Sequence, residues 1–148
     1  MRTGLAAALA VLALAAGAGA ATPAWARSAN AVCNRVKATL TQVFAGLPAQ
    51  SAPTYKAKYS QASLKFESAL LRDLRAIKAP RNAAGNAALA AVGSYVGEIK
   101  AAVAAYKAGD KAKGDRLFAK WTGDKRPQAA FVRAGARLRE LTASGCGA

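Results

Sequence analysis

Apolar residues along this chain recur at three- and four-residue steps, the period of a helix face, and no stretch alternates convincingly as a strand would. Ala29, Val32, Cys33, Val36, Leu40, Val43, Phe44 and Leu47 make a first stripe, ended by Gly46 and Pro48. A second helix is predicted from about Thr54 to Lys78, with Tyr55, Tyr59, Ala62, Phe66, Leu70, Leu74 and Ile77 on its apolar face. Lys58, Lys65 and Arg72, seven apart, form a basic line on another face of it. Ala79-Pro80 stops it, since the residue before proline is pushed out of the helical region. A third helix starts near Asn82 or Asn86 and carries Leu89, Val92, Tyr95, Val96, Ile99, Val103 and Tyr106. Gly93 and Gly97, four apart within it, suggest a close approach of two helix backbones. Ala108-Gly109-Asp110 is the clearest punctuation: glycine suits a left-handed C-terminal position and aspartate caps the next helix.

The fourth stretch is less regular. Leu117, Phe118 and Trp121 form one apolar patch, and Phe131, Ala134, Leu138 and Leu141 continue it. Residues 123–127 between them predict a break, with Pro127 in the first turn of a final helix; a continuous helix kinked at Pro127 is the competing arrangement. The fold class expected is all-α, an up-down-up-down four-helix bundle. That topology brings the start of the first helix and the end of the fourth to one end of the bundle, where Cys33 and Cys146 stand. An even cysteine count in an exported chain reads as a disulfide.

Export itself is read from the first 26 residues. Met1-Arg2-Thr3 is a short positive start, Leu5 to Ala21 is uncharged and apolar, and Ala24-Trp25-Ala26 offers the small-x-small pattern cut by a signal peptidase. The expected organisation is a cleaved leader, 1–26, and one helical domain, 27–148, with no membrane span after cleavage. A second cut site follows Ala18-Gly19-Ala20, and an uncleaved N-terminal anchor is the alternative to cleavage. The expected location is extracytoplasmic: the cell envelope or beyond.

The arrangement resembles a loosely defined set of small uncharacterised secreted helical proteins of high-GC bacteria. The shared marks are a cysteine in the first helix (Cys33), a proline-marked turn (Pro80), an Ala-Gly-Asp turn before the last helix (residues 108–110) and a terminal Cys-Gly (Cys146-Gly147). The resemblance implies a helical fold and an export route, and transfers no activity.

Composition narrows the chemistry. The chain has no histidine, so Ser-His-Asp and Cys-His mechanisms and His-ligated metals are excluded. The one methionine is Met1, and a disulfide would remove both thiols. Seven carboxylates remain; Glu67 and Glu98 are the pair that could face each other across helices, as a glycosidase would require. Asp110, Asp115 and Asp124 sit among Lys111, Lys113 and Lys120, where ion pairing is the ordinary expectation. No enzyme activity, cofactor, metal site or specific nucleic-acid module is expected.

What charge adds is a candidate surface. Lysine and arginine number 22 against 7 acidic residues, a net charge of +15, and the excess crowds the last third of the chain. Lys113, Arg116 and Lys120 share a helix face by spacing, as do Arg126, Arg133 and Arg137. These six are the candidate anion-binding residues, for an anionic envelope polymer, lipid head groups or an acidic protein. The alternatives are a lipid or other apolar ligand held in the core, with Tyr55, Tyr59, Tyr95 and Tyr106 lining or closing its cavity, and a purely structural envelope protein.

Overall fold

The computed structural model describes residues 23–124 apart from residue 82, with the backbone alone at residues 23, 37 and 84. Every regular element among them is helical: α1 Pro23–Lys37, α2 Leu40–Phe44, α3 Tyr55–Arg75, α4 Ala83–Lys107 and α5 Lys111–Gly123. The all-α expectation holds. The predicted final helix after Pro127 lies outside the described residues.

Two differences from the periodicity reading concern the first helix. It includes residues 23–26 of the segment assigned to the leader, and it breaks at Ala38 and Thr39 before resuming as α2. The Thr39 hydroxyl donates to the Val36 carbonyl at 2.7 Å, the local side-chain bond by which threonine competes with the helical ladder. The stripe therefore continues through residue 47 while the helix does not.

The long helices α3 and α4 form an antiparallel hairpin. At one end Leu70, Leu71 and Leu74 pack with Ala88, Ala91 and Val92, and α1 covers this pair with Trp25, Ala26, Ala29, Val32, Cys33 and Val36. At the other end Tyr59 and Leu64 of α3 meet Ile99, Ala102 and Val103 of α4, and α5 covers them with Leu117, Phe118 and Trp121. Thus α1 and α5 cover opposite ends of one hairpin. The central α4 is long and apolar enough, over Gly85–Lys107, to cross a membrane by length and composition alone. In the fold its bulky residues pack between α3 and α5, and alanine, serine and glycine make up much of its open face.

Punctuation before α5 agrees with the sequence reading. Gly109 has φ 77°, the left-handed region where a side chain is strained. The Asp110 carboxylate accepts the Lys113 backbone N–H at 2.9 Å, capping the helix.

The close-approach glycines are not the expected pair. A Cβ at Gly97 would have nothing within 4 Å, and one at Gly93 would reach only the Arg75 guanidinium at 4.0 Å. The crowded positions are Gly85, whose added Cβ would lie 3.2 Å from the Trp25 ring, and Gly114, whose added Cβ would lie 2.5 Å from the Tyr106 ring. Gly114→Ala should therefore destabilise the protein by about 1–2 kcal/mol, because the clash outweighs the gain in helix propensity. A thermal melt reads this directly, and an unchanged or higher Tm would show that the ring moves aside freely.

Candidate functional site

The described part of the candidate basic surface lies on α5. Capping by Asp110 fixes the first turn of α5, and a dense local network holds it. The Asp115 carboxylate accepts from Lys111 Nζ at 2.7 Å and from the Tyr106 hydroxyl at 2.8 Å, and Lys56 Nζ of α3 stands 3.6 Å away. Lys111 first, then Tyr106, holds the Asp115 carboxyl below its ordinary range. Burial, then the bond to Asp115, pushes the Tyr106 phenol up. Asp115 thus ties three helices together at the surface.

Of the six candidate anion-binding residues, Lys113, Arg116 and Lys120 lie on α5, three and four residues apart on one face. Lys120 Nζ leans to Glu98 Oε1 at 3.5 Å, so its partner is a residue of α4 rather than an aspartate of its own segment. Among the described residues Lys113 and Arg116 make no ion pair. Arg126, Arg133 and Arg137, like Cys146, fall outside the described residues. The basic line on α3 is present at Lys58, Lys65 and Arg72, and Arg72 pairs with the adjacent Asp73 at 2.9 Å.

Beneath this surface lies an aromatic cluster with two carboxylates at its edge. Trp121 is stacked on Tyr59 at 5.9 Å and meets Tyr95 and Phe118 edge-on at 5.7 and 5.4 Å. Tyr59 also touches Phe44 of α2 and Tyr55 of α3. Three of the four tyrosines suggested as a cavity lining therefore contact other rings, and Tyr106 packs over Gly114 and bonds Asp115.

Glu67 of α3 and Glu98 of α4 both raise the Tyr95 phenol through their charge, after burial, to about 12. Burial pushes the Glu67 carboxyl itself up to about 7. Two polar atoms here are buried with no hydrogen-bond partner, Trp121 Nε1 and Glu98 Oε2. The topology thus does gather Glu67 and Glu98 about one tyrosine. It places them among packed rings, with Glu98 engaged by Lys120. Among the described residues no three His, Cys, Asp or Glu side chains come together as a metal-holding group.

Periodicity missed the partial burial of Glu67, although a signal was present. Ser60, Ser63, Leu70 and Leu74 are buried on α3 at steps that run through position 67. Three- and four-residue spacing alone would have placed the glutamate on the covered face.

No protein-family model matches the chain, and no curated protein or solved structure does either.

Proposed function

We propose that this is an exported, non-catalytic helical domain that holds an anionic partner through the basic surface of its C-terminal third. The partner class is an envelope polymer, a lipid head group or an acidic protein. The contact residues are Lys113, Arg116 and Lys120, continued by Arg126, Arg133 and Arg137.

One observation carries the reading: the described acidic side chains with assigned partners serve the fold, which leaves most of the cations uncompensated. Asp73 pairs with Arg35 and Arg72, Asp115 with Lys56 and Lys111, and Glu98 with Lys120. Asp110 caps α5, and Glu67 is half-buried with its pKa raised by burial. Exposed ion pairs of this kind contribute little to stability, so the surplus positive charge has no internal role of comparable size. Lys113 and Arg116 are exposed on α5 and belong to that surplus.

The test is a salt titration of binding to wall polymer, anionic vesicles and heparin, with Lys113→Gln/Arg116→Gln beside the parent. A functional surface binds one of the three at physiological ionic strength. The double variant then weakens binding and flattens the dependence of log K on log salt by roughly one unit per lost phosphate-type contact, at unchanged helicity. Uniform weak binding that vanishes near 0.15 M salt, where screening reaches about 8 Å, would overturn the proposal. A co-purifying apolar compound would redirect it to the core.

The same reading closes the four-helix bundle through a fourth helix and a Cys33–Cys146 disulfide. Cys33 is buried, no described cysteine is a free thiol, and Cys146 is the only other cysteine in the chain. Intact mass before and after reduction should differ by two hydrogens. Two titratable thiols in the unreduced, denatured protein would refute the pairing.

A further inference from the structure

We infer that the leader is removed after Ala20 rather than after Ala26, so that the mature protein begins at Ala21 and keeps Trp25 as a core residue; this rests on the export reading above. Two small-x-small triplets compete for the cut, Ala18-Gly19-Ala20 and Ala24-Trp25-Ala26. The fold treats the second triplet as part of the domain. Among the described residues the chain is helical from Pro23 onward, so the whole triplet lies in α1. Trp25 is at 1% exposure, with Ala26 at 0%, and Trp25 is among the largest fully buried side chains of the molecule. A cut after Ala26 would remove residues 23–26 of α1, and with them the tryptophan that shares a core cluster with Ala29, Leu74 and Ala88.

A second observation points the same way from a different helix. Gly85 lies near the start of α4, where alanine would be the better helix former by up to about 1 kcal/mol. Its reason is steric, since a Cβ there would stand 3.2 and 3.3 Å from two carbons of the Trp25 ring. Without Trp25 that crowding disappears and the glycine has no such role. The indole and the glycine are two halves of one contact, and only the earlier cut leaves both in the mature chain.

Trp25 occupies the middle position of its triplet, which the peptidase does not select for, so Trp25→Ala leaves both cut sites usable. The full chain and its Trp25→Ala form are exported from a bacterial host. The extracytoplasmic products are then compared by intact mass, N-terminal sequencing and thermal melting.

Processing after Ala20 gives an N-terminus at Ala21, mature masses that differ by the substituted side chain, and a variant Tm lower by roughly 10–20 °C. Should the variant fail to accumulate, the N-terminus of the parent decides alone. Processing after Ala26 gives two identical mature proteins starting at Arg27 with identical melts, which overturns the inference and leaves export intact. A chain retained inside the cell with Met1 in place overturns the export reading and this one with it.

Discussion

Trp121→Ala should cost about 3–5 kcal/mol of stability, the range for removing a fully buried tryptophan, and should release α5 from the rest of the fold. The reason lies in how little else fastens that helix. Its buried residues are Gly114 and Trp121, and glycine contributes no side chain. The indole bridges Tyr59 of α3, Tyr95 of α4 and Phe118 of its own helix, over a floor of Ile99, Ala102 and Val103. Leu117 and Phe118 are only partly buried and pack against the same cluster. The surface bonds of Asp115 hold the first turns of α5, so fraying should start at the C-terminal end, where Lys120 meets Glu98.

Trp121→Phe separates packing from polarity. It keeps much of the ring contact and removes Nε1, a buried donor without a partner; losing such a group relieves an uncompensated desolvation. Its cost should be below half that of the alanine variant. Chemical denaturation of both variants checks this, with amide exchange in residues 111–123 reporting the release of α5. An alanine variant within about 1 kcal/mol of the parent, well below the cavity range, or exchange no faster in α5 than in α3, would mean that the helix is held by something other than this ring.

How much of this fold can be read from the sequence differs from element to element. The α3 and α4 stripes are legible because each repeats over many turns, and position 109 is legible because glycine before aspartate answers two local needs at once. The break at Thr39 is not, since a threonine hydroxyl turned to the carbonyl three residues back leaves the apolar period undisturbed. Gly93 and Gly97 mislead for the opposite reason: their spacing fits a helix contact, but no backbone comes close to either of them. Gly85 and Gly114 carry the contacts instead, each against an aromatic ring distant in the chain or across a turn.

Within the candidate site, spacing places Lys113, Arg116 and Lys120 together on one face. It cannot show that Lys120 is engaged by a glutamate from another helix. Trp25 is the sharpest case, because the residues around it satisfy a processing pattern, while its burial with Ala29, Leu74 and Ala88 shows only in the packing.

The carboxyl of Glu67 gives the second large effect, one that depends on pH. Its pKa is raised to about 7 by burial, against an unfolded value near 4.3. Between those two values the folded state holds a proton that the unfolded state has lost, so stability falls as pH rises through this window. The stability tied to the neutral form is fully present below about pH 4.3 and lost by about pH 8. It amounts to about 4 kcal/mol at roughly 1.4 kcal/mol for each pKa unit.

Glu67→Gln keeps the shape of the neutral acid and removes the titration. The variant should therefore match the parent near pH 4.5 and exceed it by about 4 kcal/mol near pH 8, with a nearly flat profile between. The other shifted groups act outside this interval. Asp115, held low by Lys111 and Tyr106, loses its contribution as pH falls through the acid range. Tyr95, pushed up to about 12, alters stability only above about pH 10, where the unfolded phenol ionises first. Denaturant melts of parent and variant at about pH 4.5, 6 and 8 decide the matter. Parallel profiles would show that Glu67 ionises freely in the folded protein and that water reaches it between α3 and α4. A converging pair at low pH would make this glutamate a built-in brake on stability at neutral pH, set among the aromatic rings that hold α5 in place.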